Sequence, residues 1–246
     1  PTQIKSAIGN RGTFDPADAN ILNQGGKLVT DTPAFKNWFG ESKVVDAEGK
    51  PLVVYHGTSD SFDSFDGAKD GTKKDHGYLG RGFYFSTSNE TANSYANMKG
   101  GMSDPNVMPV YVSLKNPLRL SMDSKKTKIG LIRSSLGLPY NTSYENVTPQ
   151  SAQEVTDKLR ELGHDGVLLD YPDYNKDTWK PNGKVKETEI VAFDPAQIKS
   201  ATGNRGTFDP ADANILNQSA LQDGSIALRT LQQLRDDLQK QQAGFD

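Results

Sequence analysis

Apolar residues concentrate in the middle of the chain, where strand-like and helix-like spacings follow one another. Side chains on a strand alternate between two faces, whereas a helix brings together positions three and four apart. These spacings predict strands over residues 52–56, 83–86, 108–114, 167–169 and 189–193. Capping and amphipathic patterns predict helices over residues 33–39, 89–98 and 151–162. Strands and helices are mixed without regular alternation, so the pattern favours an α+β fold over a doubly wound sheet.

The chain carries one long internal repeat. Residues 3–24 return as residues 197–218, and only Ile8 against Thr202 differs over the 22 positions. Solenoid units are roughly 20 to 50 residues long, so an offset of 194 residues indicates a tandem array of whole domains instead. A duplication left by cloning is the alternative interpretation. Both copies are rich in Gly, Asn, Asp and Pro, which predicts an extended or irregular linker.

The repeat sets the predicted domain boundaries. We expect a tail of a preceding repeat over residues 1–25, an enzyme-sized domain over 26–201, a repeat linker over 202–225 and a leucine-marked helix over 226–246. Within the linker, Phe208 and Ile215 are the side chains expected to dock on the domain. Because the chain begins with Pro1, we interpret it as a piece of a longer polypeptide.

Composition and charge argue against several classes of protein. The chain has no cysteine, which excludes disulfides and thiolate metal sites and fits a reducing compartment. Its net charge of -3 gives no overall basic field for non-specific nucleic-acid binding. No apolar run approaches the roughly 18 residues that span a bilayer. The three histidines show no metal-ligand spacing.

One candidate motif stands at the end of a predicted buried strand, where His56, Gly57 and Thr58 follow one another. Glycine lacks a Cβ, so a ligand can approach the backbone closely there. The N–H and C=O of Gly57 match the acceptor and donor of a carboxamide. The competing interpretation is a structural histidine whose hydrogen bonds are satisfied at a strand end.

A second candidate motif is aromatic. Glycine-rich residues 80–82 lead into a strand that carries Tyr84, and Tyr95 follows on the next predicted helix. A flat pyridinium cation between these tyrosines would gain on the order of 1 to 2 kcal/mol of cation–π attraction when desolvated. Arg81 could meet a pyrophosphate through its fork of donors. Ordinary core aromatics and a solvated arginine are the competing interpretations.

The third candidate motif is a pair of carboxylates, Glu187 and Glu189. Residues two apart on a strand share one face. A carboxylate there could stabilise a cationic sugar centre and hold a ribose hydroxyl. A solvated strand edge is the usual alternative for two glutamates in this spacing.

Together these motifs resemble the ADP-ribosyltransferase superfamily in its histidine–tyrosine–glutamate branch, and more closely the domains of that kind in phage and mobile-element polyvalent proteins. The resemblance is carried by KPLVVYHGT (50–58), GRGFYFSTSNETANSYA (80–96), YVSLKNPL (111–118), ELGHDGVLL (161–169) and TEIVAFDPAQIKSA (188–201). It covers about residues 35–201. It implies a split β-sandwich of two antiparallel sheets with flanking helices.

The resemblance also implies NAD as co-substrate, no metal, and a role for each matching residue. The implied NAD-binding residues are His56, Gly57, Thr58, Arg81, Gly82, Tyr84, Ser86 and Tyr95. The implied catalytic residues are His56, Tyr84, Glu187 and Glu189. Within this set, the two tyrosines would sandwich the nicotinamide, the histidine would bond the adenine-side ribose, and Glu189 would be the catalytic glutamate.

One feature departs from the histidine-type pattern. Ser86-Thr87-Ser88 with Glu187-x-Glu189 also resembles arginine-modifying transferases. In that branch, however, an arginine would occupy the place of His56. We therefore interpret the sequence as histidine-type with an additional glutamate, and Glu187 either orients an acceptor side chain or is a solvated neighbour.

The implied activity is transfer of a single ADP-ribose from NAD to a macromolecular acceptor, in the manner of a toxin. A bacterial host protein in the host cytoplasm is the expected acceptor, with delivery from a phage particle as a route. Neither nucleic acid nor a membrane is favoured as a partner. The alternatives are an NAD glycohydrolase, an RNA 2'-phosphotransferase and a catalytically inactive binding module of a tandem phage protein. The net negative charge of the chain disfavours the RNA 2'-phosphotransferase.

Overall fold

A computed structural model of the chain describes residues 29–58, 62–65, 77–98, 106–122, 125–139, 147–178, 180–202, 204, 208–209 and 213–216. The helices are α1 (Pro33–Phe39), α2 (Asn89–Met98), α3 (Lys128–Ser135) and α4 (Pro149–Glu161). The strands are β1 (Val54–Thr58), β2 (Phe83–Ser86), β3 (Asn106–Val112), β4 (Leu118–Ser121), β5 (Gly166–Tyr174), β6 (Pro181–Ala192) and β7 (Ile198–Ser200). Among these residues, no helix is long and apolar enough to cross a bilayer.

Hydrogen bonds link the seven described strands into one sheet in the order β4-β5-β6-β2-β1-β3-β7. The β4–β5 pair is parallel, and the other pairs are antiparallel. The mixture of strands and helices confirms the α+β class. The split sandwich of two antiparallel sheets that the resemblance implies is not confirmed, because hydrogen bonds join all seven described strands in one sheet.

Local sequence signals placed the predicted helices well. Helix α1 begins after Thr32, whose Oγ1 accepts a hydrogen bond from the backbone N–H of Phe35 at 3.2 Å. Helix α2 starts at Asn89 after Ser88, whose Oγ accepts from the N–H of Thr91 at 3.2 Å. Both caps satisfy backbone donors that a helix leaves unpaired at its start. By contrast α3, β4 and β7 are short elements that were not predicted.

The sheet separates two apolar layers, and β6 contributes to both. Ile190 packs in the layer that contains Val54 and Phe85. Its neighbour Val191 points the other way and packs in the layer that contains Leu159 of α4. Strands β5 and β6 extend beyond their predicted ends. Their apolar parts lie in the core, and the pair continues as a ribbon that is half-buried on β5 and exposed at the start of β6.

The described part of the C-terminal repeat copy packs into the domain. Phe208 is 1% exposed and Ile215 is 0% exposed. The rings of Phe208 and Phe35 meet edge to face with centroids 4.9 Å apart. The predicted tail over 1–25 and helix over 226–246 lie outside the described residues, and the domain boundaries stay predictions.

Candidate active site

A cavity of about 260 Å³ opens where β1, β2 and β6 meet α2 and α3. Seven of the residues singled out from the sequence line it: His56, Gly57, Tyr84, Ser86, Tyr95, Glu187 and Glu189. Seven further residues complete the lining: Tyr55, Tyr78, Phe85, Thr91, Ala92, Lys128 and Tyr171. Segments far apart in the chain therefore converge on one concave surface, the usual form of a small-molecule site.

Strand register explains why these side chains meet. Ser86 of β2 lies opposite Tyr55 on one side and Glu189 on the other. On β5, Tyr171 lies opposite Glu187. Residues directly opposite across a sheet point to the same face, so four strands project this group of side chains into one space.

The carboxylate of Glu189 is held by two donors. Its Oε2 accepts a hydrogen bond from Lys128 Nζ at 2.7 Å and another from the Tyr171 hydroxyl at 2.7 Å. The side chains of Lys128 and Glu189 are only 17% and 14% exposed. Lys128 Nζ also lies 5.6 Å from the centroid of the Tyr171 ring. Salt screens a pair that is hidden from solvent only weakly, so the charge of Glu189 is compensated locally.

These contacts also shift the pKa values of Lys128 and Tyr171. Burial works to lower the pKa of Lys128, but the negative charge of Glu189 and the hydrogen bonds to Glu189 and Tyr171 raise that pKa above its ordinary value overall. Burial, and then the charge of Glu189, raise the pKa of the Tyr171 phenol. At neutral pH Lys128 is therefore a cation, and Tyr171 is a neutral hydrogen-bond donor.

Glu187 has different surroundings. Its Oε1 accepts from Ser86 Oγ at 2.7 Å, and its Oε2 accepts from Thr91 Oγ1 at 3.0 Å. Ser86 Oγ in turn accepts from the backbone N–H of Ser88 at 2.8 Å. Neutral hydroxyl groups thus orient this carboxylate, and no salt bridge to a lysine or arginine is seen for it among the described residues.

His56 is fixed by the neighbouring strand. Its Nδ1 lies 2.8 Å from the backbone oxygen of Tyr84. A carbonyl can only accept, so Nδ1 carries the proton in this bond, and Nε2 of the neutral ring is an acceptor. The imidazole packs among Phe62, Phe65 and Phe85, with ring centroids 5.0 to 6.1 Å away. Its position is therefore set by the core as well as by the hydrogen bond.

The two predicted tyrosines reach the cavity from different elements. The Tyr84 hydroxyl donates to the backbone oxygen of Gly80 at 2.6 Å and accepts from the N–H of Leu79 at 3.0 Å. The segment before β2 thus anchors the phenol of Tyr84. Tyr95 lines the cavity from α2.

Gly57 lines the cavity. The structure explains the need for glycine at this position differently from the sequence-based expectation. A Cβ at this position would overlap the carbonyl oxygen of Ala92 and would lie 3.0 Å from the backbone nitrogen of Ala96. Glycine is therefore required for the close approach of α2 to β1, not for the approach of a ligand. The consequence for the site is indirect: the close contact holds Tyr95 of the same helix against the cavity.

Comparison with known proteins identifies the family of the chain. The model of one protein family, described as ADP-ribosyltransferase in polyvalent proteins, matches residues 46–208, well over half of the chain. The chain belongs to this family. Curated protein sequences gave no match. Family membership supports ADP-ribosylation as the activity in general, and domains of this family use NAD as a substrate.

Three residues expected to contact NAD lie outside the cavity lining of this ADP-ribosyltransferase domain. Thr58 is buried, with 8% of its surface exposed. Arg81 lines a separate groove along α4. A Cβ on Gly82 would lie 2.6 Å from the backbone oxygen of Ala192, so this glycine permits close packing of β2 on β6. The cavity gives no support to their predicted contacts with NAD.

Lys128 and Tyr171 line the candidate site, and sequence reasoning missed both of them. Thr127 caps α3, and the apolar spacing of Ile129 and Ile132 follows it, which is a recognisable helix start. Tyr171 lies two residues after Leu169, so continued alternation on β5 would have placed it on the same face. Among the described residues, no three His, Asp or Glu side chains form a group that could hold a metal ion.

Proposed function

We propose that this domain cleaves the nicotinamide–ribose bond of NAD and transfers ADP-ribose to a macromolecular acceptor. The observation that carries the proposal is the carboxylate of Glu189, held at the wall of the cavity by Lys128 and Tyr171. The same cavity presents His56 and two tyrosines from different elements. A carboxylate beside aromatic faces suits a reaction in which a flat leaving group departs from a sugar.

Nicotinamide binding follows from the tyrosines and from Gly57. In NAD the nicotinamide ring carries positive charge, which aromatic faces attract. Tyr84 and Tyr95 supply such faces on the cavity wall. The backbone of Gly57, which also lines the cavity, carries the donor and acceptor that a carboxamide needs. Together these groups would hold the leaving group in a fixed orientation.

The ribose would be held by His56. Because Nδ1 bonds the backbone oxygen of Tyr84, the neutral imidazole offers Nε2 as an acceptor for a sugar hydroxyl. This arrangement needs the neutral ring, since a doubly protonated imidazole has no acceptor.

Glu189 would act on the reacting carbon. When the bond between the ribose C1' and the nicotinamide nitrogen breaks, the nitrogen takes the electron pair and leaves as neutral nicotinamide. Positive charge then develops on the sugar, as in glycoside cleavage. A carboxylate already in place stabilises charge that appears only in the transition state. The acceptor attacks C1' and gives up its proton, which completes the transfer.

Glu187 would serve the acceptor. It lines the same cavity as Glu189, two residues away on β6. In the part of the chain that the structure describes, hydroxyls and not a cation orient its carboxylate. An incoming cationic or hydroxyl-bearing side chain can therefore be attracted to it. We infer that the acceptor is a bacterial protein, modified in the cytoplasm with one ADP-ribose per site.

Incubation of a bacterial lysate with labelled NAD tests the proposal. Wild-type protein should release nicotinamide and place the label on discrete macromolecules, whereas Glu189→Gln should do neither. Nicotinamide release without labelled macromolecules would favour the glycohydrolase alternative. Failure of the wild-type protein both to release nicotinamide and to label any macromolecule would overturn the proposed function.

A further inference from the structure

The C-terminal repeat copy closes one edge of the sheet. Its first residues form β7, which pairs with β3 so that Ile198 lies opposite Val112 and Ser200 opposite Val110. The segment then returns, and the backbone oxygen of Ile215 accepts from the N–H of Ser200 at 2.9 Å. Residues 197–218 are called the closing segment below, and the β3 edge with the apolar surfaces on both of its faces is called the edge groove.

The closing segment fills both faces of the edge groove. Phe208 packs against Phe35 and Tyr111 on one face. Ile215 packs in the layer that contains Val110, on the opposite face. Successive residues of β3 point to opposite faces, so the segment spans the edge of the sheet. Its burial therefore contributes to one apolar cluster on each face of the β3 edge.

Polar side chains of the closing segment are also buried in its folded form. Lys199 is 0% exposed, and its Nζ donates to the backbone oxygen of Asn214 at 3.2 Å. Asn204 is 3% exposed, and its Nδ2 donates to the backbone oxygen of Ile215 at 3.3 Å. Buried polar groups of this kind tolerate replacement poorly, because a lost partner leaves an unsatisfied group. They therefore specify the docked conformation.

The N-terminal repeat copy retains every one of these determinants. Among the described residues of the closing segment, the buried ones are Ile198, Lys199, Ser200, Asn204, Phe208 and Ile215. Their counterparts in residues 3–24 are Ile4, Lys5, Ser6, Asn10, Phe14 and Ile21, all of the same type. The single difference between the copies, Ile8 against Thr202, falls at an exposed position. The first copy thus carries all the side chains that are buried in the described part of the closing segment.

We propose that residues 3–24 are a second closing segment that exchanges with residues 197–218 in the edge groove of the same chain. The counterpart of Leu216 is Leu22, and six residues separate Leu22 from Val29. A stretch of that length reaches roughly 20 Å when extended. Val29 itself packs against the same cluster as Phe208. The connecting stretch is therefore short enough to favour binding of the N-terminal copy in the groove, because a short tether raises effective concentration.

Thermal unfolding of full-length variants tests the exchange. Phe208→Ala with Ile215→Ala weakens the C-terminal copy, Phe14→Ala with Ile21→Ala weakens the N-terminal copy, and a fourth protein carries all four changes. Alone, each pair should lower Tm by only a few degrees, because the other copy takes over. The quadruple variant should lose on the order of 10 °C or more, since large-to-small changes in a core are costly. Thr202→Ile, the exposed difference between the copies, is the matched control and should leave Tm unchanged.

Two outcomes would overturn the proposal. If the C-terminal pair of changes lowers Tm as far as all four changes do, or prevents folding by itself, residues 3–24 do not replace the closing segment. If Tm of the C-terminal variant rises with protein concentration, the replacement comes from a second copy and not from the same chain. Folding of the C-terminal variant together with failure of the quadruple variant to fold would support the exchange.

Discussion

Glu187 and Glu189 lie two residues apart on one strand and line one cavity, yet they are held in opposite ways. The largely buried ammonium of Lys128 and the phenol of Tyr171 both donate hydrogen bonds to Oε2 of Glu189. Two neutral hydroxyls each bind one oxygen of Glu187. The same residue type on the same face thus acquires two electrostatic environments, because Glu189 faces α3 and β5 whereas Glu187 lies near the start of α2.

The different environments of Glu189 and Glu187 suit two different tasks in the proposed reaction. A charge-compensated carboxylate in a rigid setting is pre-organised to stabilise a developing sugar cation. A carboxylate whose described partners are hydroxyls keeps its attraction for an incoming cation or donor. We therefore assign bond cleavage to Glu189 and acceptor orientation to Glu187, and the predictions below test that division.

The largest effect is expected at Glu189. Glu189→Gln keeps the size of the side chain but removes its charge, so turnover of NAD should fall about 10² to 10³-fold. NAD affinity should change little, because the proposed function assigns the binding of NAD mainly to the tyrosines and His56. Nicotinamide release and calorimetric titration with NAD measure the two quantities. Equal turnover in the two proteins would remove Glu189 from catalysis.

The next effect is on stability and concerns Lys128. Lys128→Met removes one partner of a largely buried ion pair and leaves Glu189 without its counter-charge. Removal of one partner from a fully buried pair costs about 3 to 5 kcal/mol. Because this pair retains some exposure, we expect a loss of about 2 kcal/mol in the free energy of unfolding.

Lys126→Met is the matched control for this prediction. Lys126 is exposed, and its replacement should change stability by no more than about 0.5 kcal/mol. Denaturant titration of the two variants gives the comparison. Equal stability of the Lys128 and Lys126 variants would show that the ion pair contributes nothing to the fold.

A smaller and more selective effect is expected at Glu187. Glu187→Gln should lower transfer to a macromolecular acceptor about tenfold, which corresponds to about 1.4 kcal/mol. Nicotinamide release with water as acceptor should remain unchanged, because Glu189 and its partners are intact. Labelling of acceptor and release of nicotinamide are measured in the same reaction. A parallel fall in both would show that the two glutamates share one task.

The smallest effect is expected at Tyr171. Tyr171→Phe keeps the ring and removes one hydrogen bond to Glu189, worth about 1 kcal/mol. Turnover of NAD should therefore fall about fivefold. Tyr174→Phe on the same strand is the control and should stay within about twofold of wild type. Indistinguishable turnover in the two variants would mean that the phenol of Tyr171 does not support the carboxylate.

Much of the fold was predictable because its signals are local. The capping residues before α1 and α2 and the apolar run of β2 each lie within a few residues of the element they define. Pairing across the sheet was not predictable, because register depends on contacts between distant segments. The two sheets came from the family resemblance and not from strand spacing, and the described strands form one sheet instead.

The candidate site shows the same contrast between local sequence signals, which are predictable, and long-range contacts, which are not. His56, the two tyrosines and the two glutamates lie within recognisable motifs and line one cavity, and their roles stay predictions. Lys128 lies in a lysine-rich stretch that has the pattern of a solvated surface, and its partner Glu189 is 61 residues away. Only the folded chain shows that this lysine turns inward. Gly82 and Arg81 belong to the same motif as Tyr84, yet strand packing carries them away from the cavity lining.

A crystal structure of the Glu189→Gln protein with bound NAD tests the central claim most directly. We predict that the nicotinamide lies between Tyr84 and Tyr95, that its carboxamide bonds the backbone of Gly57, and that the ribose C1' faces the side chain at position 189. NAD bound elsewhere, or with its ribose directed away from that side chain, would contradict the account.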